Sequence, residues 1–316
     1  TCWGQPVTTQ EMLTGMKAAG FDTVRIPVAW MTNASNLAQG DPTISDAYFN
    51  RVEEIINYAL NAGMYVILND HWDGGWYGMF GSESQQTRDR AMEAYRSMWQ
   101  QIANRYREYS DYLIFEGANE EIGPRFDENS SLYCDDSVTS YYTDEEKYAL
   151  ANKINQVFVD TVRATGGNNA SRFLLIPGFG TNIDQTCDDR FQMPKDTADS
   201  KLMVSVHYYD PWSYCGASSA ASMTASTCST NRKFSARRTV WSISSKSLTL
   251  SRGMMTVCTP LRRAAMVFSF RPPMGSTRPR RVTSPVMATL PRTGRPDSAD
   301  SMAVVMAMPA EGPSLG

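Results

Sequence analysis

Two kinds of apolar spacing alternate along the chain between Thr8 and Asp210. The first has helical period. Met12, Leu13, Met16 and Ala19 recur at helical steps after a Thr8-x-x-Glu11 capping box and stop at Gly20. Phe49, Val52, Ile55, Ile56 and Leu60 share one helical face between an N-cap at Ser45 and a stop at Gly63. Two further helices are predicted over roughly Arg88–Tyr106 and Glu145–Arg163. The second kind of spacing is a short, nearly continuous apolar run: DTVRIPVAW, MYVILND, YLIFEGA, FLLIPG and LMVSVHYYD. Such runs read as strands, and a long polar insertion, Glu121 to Thr143, follows the third of them. Strands separated by helices of ten or more residues imply parallel βαβ units, and strands apolar on both faces imply a sheet covered on both sides.

An open doubly wound sheet and a closed (β/α)8 barrel both fit this alternation. A doubly wound nucleotide site needs a Gly-rich turn after a strand, and neither G-x-G-x-x-G nor a P-loop is present. Instead polar residues stand at almost every strand end: Arg25, His71 with Asp73, Asn119-Glu120, then His207 and Tyr209. Barrel enzymes build their sites at that rim, so the (β/α)8 TIM barrel is the better fit.

Composition changes the picture at the C-terminal end. The net charge of −3 conceals a division: residues 1–228 carry −14 and residues 229–316 carry +11. Of the 14 basic residues in the tail 12 are Arg, its acids are only Asp297, Asp300 and Glu311, and it lacks Tyr, His and Gln. We read residues 1–228 as one catalytic domain and 229–316 as an Arg/Ser/Pro/Met-rich tail with the texture of an out-of-frame translation or a disordered segment, expected to be cleaved early by proteases. A basic tail that binds nucleic acid is the rival, but aromatic interleaving and any helical or strand period are missing, so no nucleic-acid partner is expected. No apolar run approaches the ~20 residues of a membrane helix, so no membrane partner is expected either. The start, TCWGQPVTTQ, has no charged n-region and no apolar h-region, so a signal peptide has been removed or was never present. The six cysteines lack zinc-site spacing, so no metal is expected. They are compatible with one or two disulfides and equally with unpaired thiols.

Four stretches in this order, VRIPVAW, ILNDHWDGGW, LIFEGANEE and VSVHYYDPW, together with WGQP, TTQEM and QVFVDTVRATGGNNASR, resemble glycoside hydrolase family 5, the cellulase family among the retaining (β/α)8 glycosidases. The resemblance runs from about Thr1 to Tyr214. It implies an endo-acting hydrolase of β-1,4-glucan, secreted, monomeric and without cofactor, whose partner is a β-linked polysaccharide. It implies Glu120 as general acid/base and Asn119 as the residue that holds the sugar 2-hydroxyl. Arg25 would orient a nucleophilic carboxylate and keep it ionised, and His71, His207 and Tyr209 would line the subsite. Trp76, Tyr77 and Trp212 would offer faces for sugar stacking. Mannan, xylan or xyloglucan are alternative substrates.

The chemistry asks for these residue types independently. Acetal cleavage by retention needs a protonated carboxyl at the leaving oxygen and an ionised one at the anomeric carbon, about 5 to 5.5 Å apart. Their surroundings must push their pKa values in opposite directions. Glu116, on the same strand four residues before Glu120, reads as a structural partner deeper in the barrel. The departures from the family are equally specific. His71-Trp72-Asp73 stands where many relatives have His-His-Asp. The family's first strand would precede Thr1, and its seventh and eighth strands are not recognisable. The nucleophile, expected in a Glu-x-Gly context after an apolar strand, has no candidate, because no acid lies between Asp210 and Asp297. Glu311 follows an apolar run, but only five residues succeed it. A catalytically inactive, carbohydrate-binding barrel fragment is therefore the alternative reading.

Overall fold

The computed structural model of the protein describes residues 7–71, 73–127, 142–207 and 266–269. Its strands are β1 (Thr23–Ile26), β2 (Ala34–Ser35), β3 (Thr43–Ile44), β4 (Tyr65–Asn69), β5 (Leu113–Glu116), β6 (Leu174–Pro177), β7 (Leu202–His207) and β8 (Met266–Ser269). The helices are α1 (Gln10–Ala18), α2 (Asp46–Asn61), α3 (Gln85–Arg105), α4 (Asp144–Ala164) and the single turn α5 (Ile183–Thr186). One sheet runs β1-β4-β5-β6-β7-β8 with every neighbouring pair parallel, as the alternation predicts, and β2 with β3 forms a small antiparallel hairpin. Among the described residues this is an open, incomplete part of a (β/α)8 barrel, with β1 and β8 at its edges.

The near-continuous apolar strands follow from burial on both faces. Ile67, Ile114, Leu175 and Met203 alternate onto one face and pack together with Phe173. Val66, Leu68, Phe115, Leu174 and Ile176 turn the other way, into a larger core shared with α2, α3 and α4. A full change from water to core for each such side chain is worth about 1.5 to 3 kcal/mol, so this two-sided burial is the main force that holds the sheet to its helices.

The helix ends show where local chemistry decides. Ser45 caps α2 by accepting from Tyr48 N–H, and Thr143 with Glu146 closes a reciprocal capping box on α4. The cap of α1 is Thr9, one residue after the Thr8 expected, because Thr9 has the extended backbone that lets its hydroxyl accept from Met12 N–H. Helix α3 begins three residues earlier than its apolar period predicts, at the Ser84 cap.

One strand was not foreseen. Met266–Ser269 lies beside β7, with Val204 opposite Met266 and His207 opposite Ser269, in a stretch where no strand is recognisable by its family motif. The run AAMVFSF between Arg263 and Arg271 is apolar enough for it, but the Arg-rich texture around it masks the signal. No acid follows it before Asp297, so it does not supply the Glu-x-Gly motif. The remainder of the tail, including Glu311, lies outside the described residues. Among the described residues, no helix is long and apolar enough to cross a membrane.

Candidate active site

Seven polar side chains meet where β1, β4, β5 and β7 end. Arg25, on β1, is buried, and its Nε pairs with the carboxylate of Glu116 from β5. Ser205 Oγ, on β7, donates to the other oxygen of Glu116 at 2.6 Å. Glu116 therefore ties three strands together beneath the rim, the structural role its position predicts. Arg25 Nη2 reaches up to Asn119 Oδ1 at 3.0 Å, which turns the amide nitrogen of Asn119 away from the arginine as a donor. Arg25 Nη1 is buried without a hydrogen-bond partner among the described residues.

Glu120 stands one step further out. Its side chain is 29% exposed, whereas that of His207 is 4% exposed, and the two meet at 2.6 Å between Oε1 and Nδ1. The carboxyl thus has one side on an imidazole and another open to solvent, as a proton donor to an incoming oxygen requires. His71 follows β4 and donates its backbone N–H to Val28 O at 2.8 Å. Its Nδ1 faces Asn69 Nδ2 at 3.3 Å, a contact that makes Nδ1 the acceptor. Burial, then the positive charge of Arg25 and of His207, holds the His71 imidazole down at about 3, so this ring is neutral.

The backbone that presents Asn119 and Glu120 is fixed from behind. Gly117 O accepts from Tyr95 Oη at 2.9 Å and from Trp99 Nε1 at 3.1 Å, both on α3. A Cβ at Gly117 would stand 3.0 Å from the Phe158 ring of α4 and 3.2 Å from Tyr95 Oη, so the glycine of FEGANE lets the strand end press against both helices.

Two expected roles change. Trp76 is fully buried, packed on Tyr77, Phe80 and Tyr95, and Tyr77 is 1% exposed. Neither presents a ring face to a sugar. They lie in a 3-10 helix, Trp76–Gly81, that folds inward after β4, and a run of apolar residues there pays for its burial. Asp73 is drawn into the same layer: it accepts from the backbone N–H groups of Met31 and Thr32, the latter at 2.7 Å, and from Thr32 Oγ1 at 2.5 Å. It therefore holds the loop after β1 in place. Tyr209 and Trp212 lie outside the described residues, as does Trp72.

No role is expected of three contributors from the sequence, although each lies inside one of the motif stretches. Ser205 is hidden in an apolar strand, although its alternation with His207 onto one face could have found it. Asp70 accepts from Tyr77 Oη at 3.1 Å and is fully buried, with its pKa raised by burial and then by the Asp73 charge. Glu121 is 2% exposed, and neither of its oxygens has a hydrogen-bond partner among the described residues. Among the described residues no cluster of His, Cys, Asp or Glu fits a metal ion.

Comparison with known proteins bears on this arrangement. The model of the family described as Cellulase (glycosyl hydrolase family 5) matches residues 1–249, past the Tyr214 at which the motif resemblance ends. Endoglucanase A of Paenibacillus barcinonensis is 36% identical over 231 residues, 68% of this chain and 53% of that protein. A xyloglucan-specific endo-beta-1,4-glucanase of Bacteroides ovatus is 39% identical over 214 residues, 68% of this chain and 39% of that protein. A glycoside hydrolase 5 lichenase from Caldicellulosiruptor sp. F32, solved in complex with cellotetraose, superposes with a TM-score of 0.61 at 28% identity, over 85% of this chain and 66% of that one. The chain spans about half the length, or less, of the curated relatives named here.

Proposed function

The chain belongs to the Cellulase family, glycosyl hydrolase family 5, and from that premise we propose that its protein is an endo-acting hydrolase of β-1,4-linked glucan that works by double displacement. One observation supports this above the rest: Glu120 ends a buried strand, partly open to solvent and bonded to His207 at 2.6 Å, beside an Asn119 that Arg25 holds by its oxygen. In this reading Glu120 gives its proton to the glycosidic oxygen as the bond to the anomeric carbon breaks, while a second carboxylate forms the glycosyl–enzyme bond. His207 Nδ1–H then donates to the ionised Glu120. Glu120 next takes a proton from the water that releases the sugar. Asn119 donates to a hydroxyl of the ring at the cleaved bond, and neutral His71 lines the same subsite. The chain as given offers no candidate for that second carboxylate, since no acid lies between Asp210 and Asp297. A polymeric substrate places the protein outside the cell, and we read it as a monomer. The relatives include an endoglucanase, a xyloglucan-specific enzyme and a lichenase, so the common β-glucan backbone is the substrate class proposed, with its decoration left open.

Glu120→Gln should lower reducing-sugar release from β-glucan by about 10²- to 10⁴-fold. Retardation of the variant in a β-glucan gel should persist. A variant with full activity would remove Glu120 from the acid/base role.

The second reading, a sugar-binding but inactive chain, is favoured by one fact: no acid lies between Asp210 and Asp297. Gel retardation without any sugar release from the unaltered chain would select it. Under the first reading, another frame of the coding DNA across codons 210 to 316 should encode an apolar strand ending in Glu-x-Gly.

A further inference from the structure

Behind Glu120 the chain buries an acid that the proposed chemistry does not use. Glu121 is 2% exposed, and both of its oxygens lack a hydrogen-bond partner among the described residues. The loop cannot swing it into water. Gly180 N–H donates to Ile122 O at 2.7 Å, and a Cβ at Gly123, where φ is +111°, would stand 2.8 Å from the Phe179 ring, which in turn stacks on Tyr148 at 4.0 Å. An anion locked into such a place, with its own backbone N–H and the more distant Arg125 and Arg25 as its compensation, is more costly than the neutral acid.

Its electrostatic neighbours come from each element around it. From its own loop and the 3-10 turn Pro124–Asp127 there are Glu120 and Arg125, and from β1 there is Arg25. From the end of β4 and the turn after it there are Asp70, with Asp73 behind it, and Tyr77. Asp73 takes the donors of Met31 and Thr32, whereas Asp70 accepts from Tyr77 Oη, shares a hydrogen bond with the Asp73 carboxyl, and keeps one oxygen without a partner among the described residues. The layer behind the rim is thus crowded with acids that cannot all be charged.

We propose that Glu121 is a positioning residue for Glu120: a buried acid that stays protonated so that Glu120 is the carboxyl in this loop that changes charge, and whose ionisation disables the Glu120–His207 pair. Burial pushes its carboxyl up to about 8, against the pull of Arg125, which places that ionisation just above neutrality. When Glu121 ionises, the adjacent charge makes Glu120 harder to ionise after it has given up its proton, and the buried loop must rearrange to hydrate the new anion. This inference rests on the glycosidase reading for its meaning in turnover, but its core can be measured without turnover.

The chain has two histidines, so nitrogen-15 spectra of the full chain contain two imidazoles. His207 should show an inflection near pH 8, and infrared spectra should show a protonated-carboxyl band lost over the same range. Both should vanish in Glu121→Gln. Glu121→Leu, which fills the same apolar surroundings without a charge, should also lack both, and it serves if the amide does not fold. On β-glucan, the pH at which half the maximal rate is lost should rise by about one unit in either variant. A band or inflection that survives both substitutions overturns the proposal, as does an alkaline limit that stays fixed while both signals disappear. If no chain releases sugar, the hydrolase reading fails, and the two spectra still decide whether Glu121 is coupled to His207.

Discussion

Replacing Glu116 by glutamine keeps its shape and removes the carboxylate that Arg25 Nε meets. The two side chains are each 1% exposed, so the guanidinium would be left as a buried charge with a neutral partner. Breaking one half of a buried pair costs about 3 to 5 kcal/mol, which should appear as a lower urea midpoint. Ser205→Ala removes one hydroxyl donor from the same carboxylate and should cost about 2 kcal/mol. If Glu116→Gln is as stable as the parent, then Arg25 is held by other groups and Glu116 is not the clamp described. The residue scale also explains why Asn119 and Glu120 differ in burial, 5% against a side chain 29% exposed. The arginine below fixes the amide, whereas the carboxyl must reach the substrate.

At the scale of elements, the departure from strict βα alternation comes after β6. Only the 3-10 turn Phe179–Thr181 and the single turn α5 stand between β6 and β7, and residues 190–196 lie along α4. Helix α4 meets that backbone with amides one turn apart. Asn152 donates to Arg190 O at 2.8 Å and accepts from Gln192 N–H at 3.0 Å, and Gln156 donates to Lys195 O at 3.0 Å and accepts from Lys195 N–H at 2.8 Å. Arg163 closes the row with a two-pronged pair to Asp196, both contacts 2.8 Å and the side chains 7% and 6% exposed. Arg163→Leu should therefore destabilise the fold by about 3 kcal/mol and open the Arg190–Asp196 stretch to trypsin, and Arg163→Leu with Asp196→Leu should recover most of the loss. Equal loss in the single and double variants would mean that the pair is not what seats the segment. Nothing in the sequence announces this docking, because Asn and Gln on a helix read as a solvated face. The four long helices and five of the six sheet strands were legible, since two-sided burial writes itself as apolar runs and one-sided burial as a helical period. The rim was legible in Arg25, Asn119, Glu120, His71 and His207, because polar residues interrupt apolar strands only for a reason. Trp76 was misread because an aromatic after a strand looks the same whether it turns out to a ligand or in to the core, and its neighbours Tyr77 and Phe80 decide the matter only in three dimensions.

For the whole molecule, the buried acids and the half-buried His71 make stability depend on pH in opposite senses. Burial raises the pKa values of Glu121, Asp70 and Asp73, the last against hydrogen bonds from Thr32 and Met31. For these groups the folded state binds protons that the unfolded chain has released, so their contribution is complete below about pH 4 and is lost as pH rises through their folded values. His71 behaves in the other direction: burial lowers it to about 3, so its contribution is complete above about pH 6.5 and is lost as pH falls. The two slopes oppose one another between about pH 4 and 6.5. Above pH 6.5 the histidine no longer contributes a slope, whereas Glu121 still titrates up to about 8. Over the lower interval the raised acids outnumber the one histidine, so the melting temperature should already fall from about pH 5 and keep falling from about pH 6.5 toward pH 8. A difference of one proton is worth about 1.4 kcal/mol per pH unit, or about 2 kcal/mol across that window. In Glu121→Gln the fall between pH 6.5 and 8 should become shallower by about that amount. A parent protein whose melting temperature is level from pH 6.5 to 8 would show that Glu121 is already ionised in the fold, and that donors other than those described here reach its carboxylate.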